Sequence, residues 1–244
     1  MKLANKVAVV TGGGKGIGKA IALAFAREGA SICITGRTLE DLKRTVQEIR
    51  DSGGQAILDQ GDISNESDVS HFVKITEERF GTINILVNNA AINLPDIPIT
   101  ELTIDQWNYI MAVNLTGPFL CCQKVLPIMY RKKTGSVINI SSIGGRQGAR
   151  FRGAYRASKA ALLNLNETMA AESYRYGVRI NAICPGSVET DMMEQITMEK
   201  TDSKQNWMFP GQIASVAVFL ASEESSSITG TAIDAFGQSN PLFH

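Results

Sequence analysis

The sequence predicts a three-layer α/β protein, in which a doubly wound and mostly parallel sheet of seven strands carries helices on both faces. Short runs rich in valine, isoleucine and threonine recur along the chain, and longer segments of helical periodicity separate them. This alternation is typical of βαβ units, whose parallel strands are buried on both faces. The predicted strands cover residues 7–10, 31–35, 55–59, 83–87, 137–141, 178–183 and 231–234.

The helices between these strands are predicted from apolar spacing and from breakers. Apolar side chains recur at helical spacing over residues 17–28, and Gly29 is a typical terminating residue. A second helix follows Arg37 and ends near residues 52–54, which contain two glycines. A third covers residues 67–80, with Asp62 and Ser64 offering turn and capping chemistry ahead of it. A further helix is predicted over residues 154–174.

Between residues 191 and 209 the helical pattern weakens, because methionines and aromatic residues lie among polar ones without one clean period. The segment is either an apolar flap, to which flexible methionines are suited, or an irregular helix pair that packs its own apolar face. We expect one domain over residues 1–244, with a short substrate lid at about 188–210.

Composition narrows the possible partners. The chain has 24 basic and 24 acidic residues, so its net charge of zero gives no general attraction for nucleic acid or an anionic membrane. No apolar run approaches the roughly 20 residues that span a bilayer, and the first residues lack a signal-peptide pattern. We therefore expect a cytoplasmic protein with reduced thiols. No metal site is predicted, since there are two histidines and no CxxC pattern among Cys33, Cys121, Cys122 and Cys184.

A glycine-rich segment, Thr11-Gly-Gly-Gly-Lys-Gly-Ile-Gly18, directly follows the first predicted strand and leads into the first helix. Glycines let backbone amides approach a phosphate, and a helix N-terminus adds partial positive charge. The segment departs from GxGxxG because Lys19 stands at the last glycine position. It also nearly matches a P-loop, but Ala20 lacks the hydroxyl for magnesium, which argues against an NTPase. A dinucleotide phosphate site on a Rossmann-like fold is favoured over a turn that binds no ligand.

Further motifs follow the glycine loop in order: Asn-Asn-Ala-Ala at 88–91, an asparagine at 114, a serine at 142, Tyr155-x-x-x-Lys159 and Pro185-Gly186. With glycines 12, 16 and 18, the sequence resembles the short-chain dehydrogenase/reductase family through most of its length. The resemblance implies an enzyme that moves a hydride between a nicotinamide and a carbonyl or secondary alcohol, assembled as a homotetramer or homodimer. The alternative is a catalytically weak NADP-binding redox sensor or scaffold.

The resemblance implies four catalytic residues, Asn114, Ser142, Tyr155 and Lys159. Tyr155 and Lys159, four apart on one helix, project from the same face. Free tyrosine has a pKa of about 10, so a nearby positive charge favours the phenolate that acts as base. Tyr155 is expected to exchange the proton, Ser142 to bind the substrate oxygen, and Asn114 to hold a water in a relay from Lys159.

The resemblance also implies the cofactor. An acidic residue after the second strand would bond the ribose 2′-hydroxyl of NAD, but Gly36 and Arg37 stand there. With Lys15, Arg37 predicts a site for the 2′-phosphate of NADP(H), NAD(H) being disfavoured; alternatively, both are solvated cations. Asp62 is expected near the adenine. The predicted cofactor residues are Gly12, Gly14, Lys15, Gly16, Ile17, Gly18, Arg37, Asp62, Ile63, Asn88, Ala90, Tyr155, Lys159, Pro185, Gly186, Val188 and Thr190.

Arg146, Arg150 and Arg152, between Ser142 and Tyr155, suggest a phosphate or carboxylate on the substrate, although a solvated loop is favoured for them. The candidate substrates are a sugar or polyol derivative, a β-ketoacyl thioester, and a small hydrophobic ketone. Two departures from the family pattern stand near the site: alanine at position 91, and Asp-Ala-Phe-Gly at 234–237 in place of the common Asp-Gly-Gly. They make the far wall of the pocket and the subunit contacts less transferable.

Overall fold

Seven parallel strands form one sheet in the order β3-β2-β1-β4-β5-β6-β7. The structure is a computed structural model that describes residues 1–196 and 207–240. Helices cover both faces of the sheet, which confirms the predicted three-layer, Rossmann-like α/β fold class. The strands are β1 Val7–Thr11, β2 Ser31–Gly36, β3 Ala56–Gln60, β4 Ile85–Asn88, β5 Gly135–Ile140, β6 Val178–Pro185 and β7 Ala232–Ala235.

The described α-helices are α1 Gly16–Arg27, α2 Leu39–Asp51, α3 Glu66–Phe80, α4 Ile104–Met111, α5 Gly117–Lys132, α6 Gly153–Ser173, α7 Asp191–Ile196 and α8 Pro210–Ala221. A π-helical turn, Ala112–Thr116, joins α4 directly to α5. The four helices predicted from apolar spacing and breakers are confirmed within a few residues. The two joined helices α4 and α5 are additional to them.

Alternate residues of β1 supply two separate cores, one on each face of the sheet. Val10 packs with Ile21 and Phe25 of α1 on one face, whereas Val9 packs with Phe72 of α3 on the other. All five β1 residues are buried, as expected for a central parallel strand. Burying a side chain of this size contributes about 1.5–3 kcal/mol, so the two cores anchor the strand that ends at the glycine loop.

The strand order reverses direction between β1 and β4, because the chain builds β2 and β3 on one side of β1 and the later strands on the other. In doubly wound sheets a crevice opens at this switch point, beyond the carboxyl ends of the strands. The loops after β1, β4, β5 and β6 therefore converge there.

The predicted N-cap of α3 is wrong, because a different residue caps the helix. Asn65, rather than Asp62 or Ser64, is the N-cap, and its side chain accepts a hydrogen bond from the Ser67 amide at 2.9 Å. Asp62 instead accepts bonds from the Ser64 amide and hydroxyl at 2.9 and 2.7 Å. This turn leaves Asp62 beside the crevice.

The predicted lid falls partly outside the described residues, which omit 197–206. In the described part, Val188 pairs with Met208, and the amides of Glu189 and Met208 donate to Met208 and Ser187 carbonyls at 2.9 Å. Residues 187–189 and 207–209 thus form a small parallel bridge next to the crevice. Among the residues described, no helix has the length and apolar character needed to cross a membrane.

Candidate active site

A cleft of about 600 Å³ occupies the crevice. Its lining comes from the glycine loop, from the ends of five strands and from α6, so it joins segments far apart in the chain. Most of the predicted site residues border it, namely Gly12, Gly14, Lys15, Gly16, Ile17, Arg37, Asp62, Ile63, Ala90, Ser142, Tyr155, Lys159, Pro185, Gly186, Val188 and Thr190. Gly18, Asn88 and Asn114 do not border it.

The glycine loop brings its backbone close to the loop after β4. Gly12 has a φ of +65°, and a Cβ placed there would lie 2.9 Å from the side-chain nitrogen Nδ2 of Asn89 and 3.0 Å from the Ala90 Cα. Lys15, the N-cap residue of α1, makes no side-chain cap. Backbone amides of the first helical turn therefore remain available to an anion, and the cradle fits a dinucleotide phosphate.

Gly18 is buried and does not border the cleft, and its predicted contact with the cofactor stays a prediction. A Cβ on Gly18 would lie 2.2 Å from the Gly12 carbonyl oxygen and 2.4 Å from the Asn89 side-chain nitrogen. The residue is buried beneath the loop, where only a missing side chain lets α1 approach β1 so closely. Gly18 shapes the cradle from behind.

Thr11 and Asn89, which were not among the predicted site residues, lock the two loops together. The Thr11 hydroxyl accepts hydrogen bonds from the Asn89 and Ala90 amides, both at 3.0 Å. The Asn89 side chain donates to the Thr11 carbonyl at 2.9 Å. Thr11 stands within the glycine-rich segment and Asn89 within the Asn-Asn motif, and these positions could have identified them as site residues from the sequence.

The Asn88 side chain turns into the core and does not border the cleft, and its predicted place beside the adenosine stays a prediction. Asn88 is 2% exposed, and its Nδ2 donates to Asn139 Oδ1 at 2.8 Å. Asn139 donates to Asn166 Oδ1 at 3.0 Å, and Asn166 to the Thr231 carbonyl at 3.5 Å. This chain of amides, the asparagine network, connects β4, β5, α6 and the loop before β7. It also positions α6, which carries Tyr155.

Tyr155 lies in the first turn of α6 and Lys159 one turn later, and both border the cleft. Lys159 is 2% exposed, its Nζ donates to the Ile140 carbonyl at 2.8 Å, and it lies 5.9 Å from the centroid of the Tyr155 ring. Burial lowers the pKa of Lys159 to about 8. Burial also raises the pKa of Tyr155, an effect that Ser142 and the arginines at 152 and 156 oppose. The phenol is therefore protonated at neutral pH.

Asn114 lies behind the cleft, in the π-helical turn between α4 and α5. Its Oδ1 accepts from the Ile92 amide at 2.8 Å, and its Nδ2 donates to the Ile92 carbonyl at 2.9 Å and the Ser158 hydroxyl at 3.1 Å. Ser158 in turn donates to the Tyr155 carbonyl at 2.7 Å. Asn114 thus ties the loop after β4 to the first turn of α6. π-helical turns are frequent at functional sites.

Two consecutive serines follow β5, and the structure separates their environments. Ser141 is buried and donates to the Lys159 carbonyl at 3.0 Å, so it fastens α6 to the sheet. Ser142 is half-buried and borders the cleft, and its Oγ accepts from the Gly144 amide at 3.0 Å. An oxygen held by an amide donor leaves the Ser142 hydroxyl proton for another acceptor. Ser142 is therefore the serine available to a substrate oxygen.

Arg37 and Lys15 stand at the opposite end of the cleft. The Arg37 guanidinium bonds the hydroxyl of Tyr109, an uncharged partner from α4. Lys15 forms an ion pair of 3.2 Å with Asp191, the first residue of α7. Among the described residues no carboxylate pairs with Arg37, so its charge is available to a phosphate, whereas part of the Lys15 charge is already compensated.

Two of the three loop arginines turn away from the cleft. Arg146 donates from Nε to Asp234 Oδ1 at 2.8 Å and from Nη2 to the Ala232 carbonyl at 2.8 Å. Arg150 is exposed, with its guanidinium 5.0 Å from the Phe151 ring centroid. Neither borders the cleft. For these two residues the structure favours structural and solvated roles.

Arg152 does border the cleft, as does Arg156, which was not among the predicted site residues. Arg152 Nη2 lies 3.1 Å from Asp96 Oδ1. Arg156 Nη1 donates to the Gln147 carbonyl at 2.6 Å. Arg156 stands inside the Tyr155-x-x-x-Lys159 motif, directly after the tyrosine, and that position could have identified it as a cleft residue from the sequence.

The unusual 234–237 segment is accommodated by packing and by charge. Phe236 is 9% exposed and packs with Leu163, Ala182 and Cys184. Asp234 is the partner of Arg146. Ala91, the other departure, borders the cleft. The changes therefore alter the surroundings of the site and leave Tyr155 and Lys159 in place.

A doubly wound sheet with a glycine cradle and a tyrosine–lysine pair at one cleft defines a class of nicotinamide-dependent oxidoreductases. Residues 6–201 match the family model described as short chain dehydrogenase. The chain belongs to the short-chain dehydrogenase/reductase family, and it is an oxidoreductase whose family acts on small molecules.

Particular relatives span nearly its whole length. An uncharacterised oxidoreductase of Bacillus subtilis (strain 168) is 39% identical over 97% of this chain and 91% of the relative. A 3-oxoacyl-[acyl-carrier-protein] reductase of Synechocystis is 34% identical over 96% of this chain and 97% of the relative. A putative NAD(P)-dependent gluconate 5-dehydrogenase from Beutenbergia cavernae, whose crystal structure contains NADP at low occupancy, is 31% identical, and the match covers 97% of both chains with a TM-score of 0.91.

Proposed function

We propose that this chain is an NADP(H)-dependent oxidoreductase that interconverts a carbonyl compound and a secondary alcohol, with Tyr155 exchanging the proton. The proposal depends on one observation: Ser142, Tyr155 and Lys159 border the same cleft as the glycine cradle. The NADP-bound structural neighbour and the 3-oxoacyl reductase relative support the cofactor and the reaction class. An assay of carbonyl reduction and alcohol oxidation with both nicotinamides tests it directly.

In the proposed reduction, Ser142 donates a hydrogen bond to the substrate carbonyl oxygen and stabilises the charge that develops there. Bound nicotinamide supplies the hydride. Tyr155, whose pKa burial raises, donates its proton to the same oxygen and so completes the alcohol. In the oxidation, the phenolate of Tyr155 accepts the alcohol proton.

Lys159 and Asn114 act on Tyr155 in this proposal. The buried ammonium of Lys159, held by the Ile140 carbonyl, stabilises the phenolate after proton transfer. Asn114 binds the Ser158 hydroxyl, which bonds the Tyr155 carbonyl, and so positions the first turn of α6. The glycine cradle and Arg37 would hold the phosphates of the nucleotide.

The pH dependence of the two directions should be opposite. Because burial raises the pKa of Tyr155, we expect kcat/KM for alcohol oxidation to rise about tenfold per pH unit through the neutral range. Reduction should be nearly constant there and fall in alkaline solution. Initial rates in both directions between pH 6 and 10 measure this, and an oxidation rate that falls with rising pH would contradict Tyr155 as the base.

Removal of the two cations should change the nucleotide preference. An Arg37→Ala, Lys15→Ala double variant is expected to lose about 10–100-fold in affinity for NADPH relative to NADH, because charged hydrogen bonds contribute about 1.5–3 kcal/mol. Arg37→Ala alone should account for most of the loss, since Lys15 already pairs with Asp191. Fluorescence titration of both nucleotides measures the ratio.

Lys43→Ala is the matched control for charge, because Lys43 is exposed on α2, pairs with Glu40 and does not border the cleft. An unchanged preference in the double variant would remove the proposed phosphate site. A preference that changes equally in Lys43→Ala would point to long-range electrostatics.

A further inference from the structure

Arg152 and Arg156 flank Tyr155 at the reacting end of the cleft. Arg152 is the N-cap residue of α6, and Arg156 follows one turn later, so the two project from the same face of the helix. A Cβ built on Gly144 would lie 3.1 Å from Arg156 Cγ and 3.5 Å from Tyr155 Cε1. The Arg156 stem and the Tyr155 ring therefore cover the same glycine, next to Ser142.

The charges of these two arginines are compensated unequally. Arg152 pairs with Asp96, whereas within residues 1–196 and 207–240 no carboxylate pairs with Arg156. The described charged residues that border the cleft are Lys15, Arg37, Asp41, Asp62, Arg152, Arg156, Lys159 and Asp191. Two of the three carboxylates already have cationic partners, because Asp191 pairs with Lys15 and Asp41 with Arg44. Burial and the charge of Arg152 both lower the pKa of Arg156. Partial burial of a cation costs desolvation free energy, and an anion bound next to it offsets that cost.

We propose that Arg156, assisted by Arg152, binds a carboxylate of the substrate, so that this enzyme prefers oxo acids and hydroxy acids to their neutral analogues. The inference rests on the proposed oxidoreductase function and names the substrate class of the same site. One uncompensated guanidinium matches the single charge of a carboxylate, and a phosphate dianion would exceed it. A planar guanidinium also suits a carboxylate because the two groups can form parallel hydrogen bonds.

Such a contact would orient the substrate as well as retain it. With the carboxylate held by Arg156, the reacting carbon would lie between Arg156 and the Ser142 and Tyr155 hydroxyls. The number of carbons between the carboxylate and the oxo group then becomes a measurable property of the site, because a wrong length moves the oxo group away from Tyr155.

The experiment compares 2-, 3-, 4- and 5-oxo carboxylic acids with their primary amides, which have nearly the same shape without the charge. We expect kcat/KM to favour the acid over the amide by about 10–100-fold at one or two chain lengths, the range for a charged hydrogen bond. Arg156→Met should remove most of this acid-to-amide ratio, Arg156→Lys should retain part of it, and Arg152→Met should reduce it less.

Arg150→Met is the matched control. It removes the same charge from the same connection, but Arg150 is exposed and does not border the cleft. A second readout does not depend on turnover of an acid: inhibition of amide reduction by acetate and succinate should weaken about tenfold or more in Arg156→Met and stay unchanged in Arg150→Met.

The outcomes distinguish failure of the carboxylate proposal from failure of the proposed oxidoreductase function. An acid preference that Arg156→Met removes and Arg150→Met keeps supports the inference. Reduction of neutral carbonyls without any acid preference, or a preference that survives Arg156→Met, overturns it and leaves the oxidoreductase proposal standing. If no carbonyl is reduced and no alcohol is oxidised with either nicotinamide while both nucleotides bind, the proposed function itself fails.

Discussion

Replacement of Tyr155 by phenylalanine is expected to lower kcat by about 10²–10⁴-fold, the usual contribution of a positioned acid or base. Only the hydroxyl is lost, so the ring continues to cover Gly144 and to face Lys159. Nucleotide affinity and thermal stability should therefore change little. Single-turnover rates with saturating NADPH, together with a nucleotide titration, separate the lost proton transfer from lost binding.

Tyr174→Phe is the matched control, because Tyr174 is 75% exposed and lies outside the cleft. It should keep wild-type turnover. If Tyr155→Phe kept it as well, another group would have to move the proton and the proposed chemistry would be wrong. If nucleotide binding disappeared in Tyr155→Phe, the lower rate would result from disruption of the nucleotide site and would not measure proton transfer.

Replacement of Lys159 by methionine should abolish most of the activity and change the pH dependence of stability. A pKa lowered from 10.5 to about 8 means that the folded protein bears a penalty of about 3 kcal/mol for the charged lysine at neutral pH. Loss of the hydrogen bond to the Ile140 carbonyl offsets part of that relief, by about 1–3 kcal/mol. The stability of the variant at pH 7 should thus equal or exceed that of the wild type.

The penalty is complete below pH 8 and disappears as the pH rises toward 10.5, because the wild-type lysine then loses its proton in both the folded and the unfolded chain. Relative to Lys159→Met, the wild type should therefore gain roughly 2–3 kcal/mol between pH 7 and pH 10. Urea denaturation without nucleotide measures the difference. Lys74→Met, with a side chain 71% exposed, should show no such change, and a constant difference for Lys159→Met would contradict a buried charged lysine.

The order of residues along the chain predicted the fold, and it predicted which residues would lie near one another at the cleft. Strands buried on both faces are recognisable from their apolar runs, and the glycine loop directly after the first strand indicates the phosphate cradle. The spacing of Tyr155 and Lys159 predicts that they share a helix face, and both border the cleft. These features depend on near neighbours in the sequence, which is why they could be read from it.

Features that depend on distant partners or on register could not be read in this way. Asn88 and Asn89 differ only in position, yet Asn88 ends β4 facing the core, and Asn89 has passed into the loop. Arg146 is committed to Asp234, a residue 88 positions away. Arg156 differs from Arg146 and Arg150 because it lies on α6 and borders the cleft.

The asparagine network limits which substitutions its members can tolerate. Asn139 accepts a hydrogen bond from Asn88 and donates one to Asn166, so both polar atoms of its side chain depend on these two neighbours. Substituting one alone strands a buried donor or acceptor, at about 1–3 kcal/mol each, whereas apolar residues introduced together strand fewer. We therefore expect these three positions to be retained together, or replaced together, among related proteins.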